Sequence, residues 1–193
     1  MVGSTHALVG LTTLTAVQTI STQMGHPLVQ PHVTEGIPTG FVLCAGAAIL
    51  GALLPDLDAE DSSILRDLGK WGWLIKLGMK LLNVKHRGVL HSGLAVVLVS
   101  VIAEVIGRAI GFGDVGLAFG LGYFSHVILT DAMTIAGVPL LWPSPYRFHL
   151  LPRFLRIRTG GIVERLVAGV VVVILFLLLP EAVPDELFKA FNI

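Results

Sequence analysis

The sequence predicts an all-α integral membrane bundle of about five transmembrane helices, with a short amphipathic helix at the membrane interface, in a single polytopic domain over residues 1–193. Three observations carry that expectation. The 193 residues are 54% hydrophobic and only 13% charged, with mean hydropathy +0.83, whereas a typical soluble domain is about 25% charged. Apolar runs long enough to cross a bilayer recur along the chain. The basic residues gather in two of the connections between those runs.

The first run, 5–24, is only moderately apolar. Thr and Gln recur through it, so it is expected to pack against other helices rather than face lipid all round. Met1–Ser4 carries no charged side chain, and no cleavable signal peptide is expected. A Pro- and His-bearing loop follows, with His26, His32 and Glu35. The second run, 37–54, is rich in Gly and Ala, which permits close helix packing. It stops at Pro55-Asp56. Residues 59–85 mix Trp71, Trp73 and leucines with Arg66, Lys70, Lys76 and Lys80, the pattern of an interfacial helix with aromatic anchors and snorkelling bases. The third run, 89–112, carries Glu104 and Arg108, an i,i+4 pair read as structural. The fourth, 115–135, passes through Gly116, Gly120 and Gly122. A Pro- and Arg-rich loop spans 136–161, the fifth run covers 162–179, and a mostly acidic tail ends the chain.

Eleven of the thirteen basic residues fall in the connection between runs two and three, or between runs four and five and the foot of run five. The positive-inside rule makes that side cytoplasmic. Polar signatures scattered along the chain then converge on one layer. His6 opens run one there, Asp56 and Asp58 close run two, His86 and His91 open run three, His126 and Asp131 end run four, and Glu164 opens run five.

Charged groups in lipid cost about 2.5–3.5 kcal/mol each at mid-bilayer on insertion scales, so such a layer calls for a bound partner. His with Asp and Glu is a donor set for a borderline divalent metal, zinc first, with manganese or magnesium as alternatives. Each member also has a plainer reading. Asp56 and Asp58 after Pro55 either point into one cavity or solvate a helix end, and the latter suits Glu60 and Asp61. His86 and His91 are five apart and cannot share a face of a regular helix; they converge only if His86 lies in a loop and Gly88 bends the chain. Arg87 between them suits a phosphate or carboxylate, or else lipid headgroups. His126 with Asp131 is a costly pair inside an apolar helix, with Asp131 as ligand or as orienting partner. Glu164 is a ligand-orienting group, a base, or a carboxylate placed by the helix dipole. His6 sits near a helix cap. His149 is a reserve ligand, and Cys44 alone forms no intrachain disulfide.

These motifs resemble the YdjM-like inner-membrane metal-dependent hydrolases over nearly the whole chain. The resemblance runs through Thr5-His6-Ala7, Leu53-Leu54-Pro55-Asp56-Leu57-Asp58, and His86-Arg87-Gly88 to His91-Ser92. It continues through Gly122-Tyr123-Phe124-Ser125-His126, the stretch 136–143 (Ala-Gly-Val-Pro-Leu-Leu-Trp-Pro) and Glu164-Arg165. It implies hydrolysis at a metal centre with His6, Asp56, Asp58, His86, His91 and His126 as ligands. It is also distantly similar to zinc-dependent phospholipase C, which implies a phosphoester substrate. The family pattern places its fourth-run His and Asp four apart; here the step from His126 to Asp131 is five. Either a π-bulge realigns them, or one of them is not a direct ligand.

The reading that follows is a metal-dependent hydrolase of a phosphoester in a membrane lipid or lipid-linked substrate, acting at the cytoplasmic face. Arg87 would hold phosphate, and Asp131 or Glu164 would orient a ligand or act as base. A metal-ion transporter and a non-catalytic membrane scaffold are the alternatives; the polar residues form one layer rather than a file across the bilayer, which disfavours transport. Zero net charge offers no footprint for nucleic acid.

Overall fold

The computed structural model describes residues 1–29, 39–59, 62–81, 84 and 86–182. His32, Glu35, Glu60, Asp61, Lys85 and the tail beyond 182 lie outside the described residues. Within them the chain forms seven α-helices and no strand. These are α1 (Gly3–Gln23), α2 (Thr39–Leu53), α3 (Ser63–Asp67), α4 (Lys70–Leu81), α5 (Gly93–Ala109), α6 (Gly113–Phe124) and α7 (Ile162–Ala182).

Helix α2 runs into a 3-10 turn at Leu54–Asp58, and α6 into a π-helical turn at Ser125–Thr130 followed by a 3-10 turn at Asp131–Met133. Among the described residues three spans are long and apolar enough to cross a membrane: Thr39–Asp58, Gly113–Met133 and Ile162–Ala182. The count of about five is not reached by that measure. Helix α5 has 17 residues, and the Thr and Gln content of α1 dilutes its apolar character.

Helix α6 is the centre of the bundle, packed between α2 and α5, while α1 lies against α2 and α7. Small residues set those crossings. A Cβ added at Gly122 of α6 would strike the Ala48 carbonyl of α2, and one at Gly51 of α2 would strike the Phe119 carbonyl of α6. The backbones approach that closely because lipid supplies no hydrophobic drive between helices, so contact area must come from intimate packing.

Helix α1 buries Thr5, His6, Thr15, Gln18 and Thr19, as its composition predicts. The Thr12, Thr13 and Thr15 hydroxyls donate to carbonyls four residues back at 2.7–2.9 Å, and Gln18 accepts from the Val29 N–H at 2.8 Å. The interfacial helix expected within 60–82 forms as α3 and α4, broken at Gly69, whose φ of +54° suits glycine. Trp71 and Trp73 are exposed on α4. Glu104 and Arg108 of α5 pair as expected.

Candidate metal centre

The π turn decides the geometry of the site. On a regular helix, residues five apart point about 140° apart. A π turn closes its ring over five residues and cancels that offset. His126 and Asp131 therefore share one side, with His126 Nε2 3.9 Å from Asp131 Oδ2. Both are buried, at 0% and 1% exposure.

His6 comes in from the first turns of α1. Its ring stacks on that of His126, with centroids 3.7 Å apart. His91 arrives from the 3-10 turn Val89–His91, which Tyr123 of α6 anchors by donating to the Leu90 carbonyl at 2.6 Å. Asp56 follows Pro55 in the turn that ends α2. Asp56 oxygens lie 3.7–3.9 Å from the Nε2 atoms of His6, His91 and His126. Asp131 oxygens lie 3.4–3.9 Å from the same three nitrogens.

Around that centre the outer ring nitrogens have partners of their own. His126 Nδ1 sits 2.6 Å from the Ala52 carbonyl. A carbonyl only accepts, so Nδ1 carries the proton and Nε2 presents a lone pair. That lone pair faces His91 Nε2 at 3.3 Å. Thr130 Oγ1 donates to the His126 carbonyl at 2.5 Å and lies 2.7 Å from His6 Nδ1. When Thr130 gives its hydrogen to His126, His6 Nδ1 donates to Thr130 and its Nε2 also becomes a lone pair. In the other tautomer Nε2 donates to the Met1 carbonyl at 2.9 Å.

Asp58 organises the second half of the site. Its Oδ1 accepts from His86 Nδ1 at 2.7 Å, and its Oδ2 accepts the Arg87 N–H at 3.1 Å. The same Oδ2 lies 3.3 Å from His91 Nδ1. The hydrogen bond to Asp58 holds the His86 imidazole above its ordinary pKa, against partial burial. The chain bends at Gly88 as expected, with φ −96° and ψ −130°, and the bend includes Arg87, whose φ is +53°. A left-handed backbone is uncommon for arginine, and Asp58 offsets it by satisfying the N–H it presents. Arg87 then reaches across the cluster. Nη1 donates to Thr134 Oγ1 at 2.8 Å, and Nη2 donates to Asp131 Oδ1 at 3.1 Å and lies 3.1 Å from Oδ2.

The single centre expected from sequence thus resolves into two adjoining groups. One comprises Asp56, Asp58, His86 and His91; the other comprises His6, His126 and Asp131. His91 joins them, with Nδ1 toward Asp58 and Nε2 toward His126. Glu164 is buried but stands in neither group. Its oxygens accept the Val2 N–H at 2.6 Å and the Gly160 N–H at 2.7 Å, tying the start of α1 to the start of α7. The α-amino group of Met1 donates to Asp131 at 2.9 Å. His149 lies behind the site, with Nδ1 3.2 Å from the Thr134 carbonyl. His26 is exposed at the other end of α1. Thr130 and Thr134 escaped the sequence reading, and Tyr123 entered it only as part of the 122–126 stretch, without a role. The one available signal was Thr130, a hydroxyl four residues after a histidine in an apolar helix.

The donor set fits a divalent cation. The inner nitrogens of His6, His91 and His126 converge with the carboxylates of Asp131 and the partly exposed Asp56, and among the described residues the buried His91 Nδ1 and Asp131 Oδ2 have no hydrogen-bond partner. Spacings of 3.3–3.9 Å compare with about 3.3–3.6 Å between tetrahedral ligands whose metal bonds are about 2.0–2.2 Å.

The profile of the YdjM inner membrane protein family matches residues 1–183. The chain belongs to this family. Inner membrane protein YdjM of Escherichia coli strain K12 is 41% identical over 106 residues, covering 54% of this chain and 51% of that protein. Its counterpart in Shigella flexneri gives the same figures. The chain therefore spans about half the length of those two relatives. The uncharacterized protein YvsG of Bacillus subtilis strain 168 is 33% identical over 148 residues, covering 70% of this chain and 84% of that protein. No solved structure matches, and the likeness to zinc-dependent phospholipase C is not shown. As a YdjM-family member the chain is an inner-membrane protein with a buried His/Asp cluster able to hold a metal ion.

Proposed function

We propose that this YdjM-family protein is a membrane-embedded metal-dependent hydrolase that cleaves a phosphoester of a lipid or lipid-linked substrate at the cytoplasmic face. One observation carries the proposal: imidazole nitrogens and carboxylate oxygens from four separate parts of the chain crowd within 3.3–3.9 Å of one another, and among the described residues the cations beside them are the Arg87 guanidinium and the Met1 amine, both on Asp131. Leaving such acceptors uncompensated in a low-dielectric interior is costly. Three imidazoles with two carboxylates suit zinc, and manganese next.

A divalent ion bound there supplies Lewis acidity at a phosphoryl oxygen and lowers the pKa of a water ligand. The protein's own groups supply the rest. Asp58 orients His86 and lies 3.3 Å from His91 Nδ1, the Ala52 carbonyl fixes the tautomer of His126, and Thr130 holds the outer nitrogen of His6. Arg87, held by Thr134 and Asp131, places a guanidinium beside the centre, where it counters phosphate charge. Asp131 is positioned to take a proton from an attacking water or to bind metal directly. The positive-inside rule applied to the basic connections supports a cytoplasmic position for the cluster.

The test is elemental analysis of the purified protein in detergent, together with turnover of a generic phosphodiester and of phospholipids before and after chelation. Stoichiometric metal, with turnover lost on chelation and restored by metal, is the expected result. Protein without metal after reconstitution, or metal-loaded protein inert toward every phosphoester, would overturn the proposal; the latter outcome favours the transporter or scaffold reading.

A further inference from the structure

A cavity of about 580 Å³ opens beside the cluster, lined by His86, Arg87, Val89, Trp142, Pro143 and Arg147 among others. Its size falls within the range of small-molecule sites, about 300–1,000 Å³. His86 and Arg87 belong both to this cavity and to the site already described, so whatever occupies the cavity touches the edge of the cluster. Its far wall is the loop after α6, where Pro139, Pro143 and Pro145 restrict the backbone around Trp142.

Two cationic side chains with different tasks flank the cavity. The Arg87 guanidinium is turned into the cluster, where Thr134 and Asp131 hold it. Arg147 is not held in that way. Its Nη1 donates to the Arg87 carbonyl at 2.8 Å, which pins the side chain at the rim. Among the described residues that is its one hydrogen-bond acceptor, so its other N–H groups remain for a ligand. His86 has its Nδ1 committed to Asp58, which leaves Nε2 as the nitrogen free for the cavity. Apart from Gly88 and Ser144 the remaining lining is apolar: Val84, Val89, the prolines and the Trp142 ring. The same loop exposes Leu141, Tyr146 and Phe154 and carries Arg153 and Arg156. Aromatic, aliphatic and basic residues mixed in one segment are the composition of chain lying at headgroup depth.

We infer that this cavity is a headgroup subsite for an anionic phospholipid, with Arg147 binding the phosphate and Trp142 with the prolines covering the apolar part next to it. The inference rests on the hydrolase reading for what happens to that phosphate, and not for binding. Charge alone would accept free phosphate, and apolar lining alone would accept any lipid; the juxtaposition selects a molecule with both features.

The experiment uses the full chain in zwitterionic detergent, stripped of metal with a chelator, and titrated calorimetrically. The probes are dihexanoyl phosphatidic acid, dihexanoyl phosphatidylcholine and inorganic phosphate. Phosphatidic acid is expected to bind more tightly than either of the others. Arg147→Ala should weaken it about tenfold or more, the scale of a lost charge-assisted hydrogen-bond pair. Arg147→Lys should restore part of the loss, because lysine keeps the charge without the fork. Trp142→Ala should weaken phosphatidic acid and leave the feeble phosphate binding unchanged. Metal uptake by all three variants should equal that of the parent, which also shows that they are folded. Equal binding of inorganic phosphate or phosphatidylcholine, or unchanged binding by both Arg147 variants, would overturn the inference. A parent protein that takes up no metal yet binds phosphatidic acid through Arg147 would sink the hydrolase reading and leave this one standing.

Discussion

The spans Gly113–Met133 and Ile162–Ala182 each have 21 residues, yet 61% of the hydropathy window in the first is buried inside the protein and 6% of that in the second. The buried one is the less apolar, with mean hydropathy 1.3 against 2.7. In water the order would be reversed. In a membrane the solvent is hydrocarbon, so the most apolar helix is the one best left facing outward, and polar groups mark the inside. Helix α7 contributes one inward carboxylate, Glu164, at its first turn. The α6 span contributes glycines for close crossing, then a π turn that carries His126 and Asp131 into the centre.

That contrast is broken most decisively by substitution inside the π turn. His126→Ala is expected to abolish stable metal binding, read as metal per protein after gel filtration. Phe176→Ala on the outward face of α7 should leave that ratio unchanged. Asp131→Asn is expected to match His126→Ala if the carboxylate is a direct ligand, and to weaken binding about 10–100-fold if it acts by orienting Arg87 and the histidines. Equal metal content in all three proteins would remove the distinction between the two spans.

A second test addresses the five-residue step itself. Deleting Ile128 returns His126 and the aspartate to a separation of four, which puts both on one face of a regular helix. Metal binding should then survive within about tenfold, whereas inserting an alanine after Gly120 of α6 should abolish it by rotating both residues about 100° off the centre. Loss in the deletion as complete as in the insertion would mean that the π turn does more than align two side chains.

Smaller effects are expected at the edge of the site. Asp58→Asn should weaken metal binding about 10–100-fold, since it touches His86, His91 and the Arg87 N–H but faces the centre only through His91. Arg87→Ala should keep its metal and lose turnover, and Arg87→Lys should recover part of it. The smallest effect is a titration. His86 should stay protonated to a pH above about 6.5 in the metal-free protein, because its folded pKa is raised. In Asp58→Asn the NMR midpoint should move down toward the ordinary value; an unmoved midpoint would mean that Asp58 is not the cause. Substitutions such as Val173→Leu on α7 should change stability by no more than about 0.5 kcal/mol.

The membrane class, the helical content and the helical structure within 60–82 were legible from composition and periodicity alone. The members of the cluster were legible as well, because each is a polar residue where lipid makes polarity expensive. Their division of labour was not. Asp58 and Asp56 are two residues apart and read alike, yet one turns toward the His86–Arg87 bend and the other toward the inner nitrogens. Glu164 reads as one more inward acid and proves to hold backbone N–H groups at Val2 and Gly160. Arg147 reads as a topology signal and sits at the rim of a cavity.

The sequence by itself determined which residues must be inside. Burial preference in lipid is a property of each side chain and can be summed along a chain. Only the tertiary structure decided which nitrogen of each histidine faces inward, that the bend at Gly88 also takes Arg87 into a left-handed backbone, and that a π turn makes a five-residue step productive. Those outcomes depend on carbonyls, hydroxyls and crossings contributed by distant segments — Ala52 against His126, Thr130 against His6, Gly122 against Ala48 — and no local pattern encodes a contact between residues that meet only when the bundle closes.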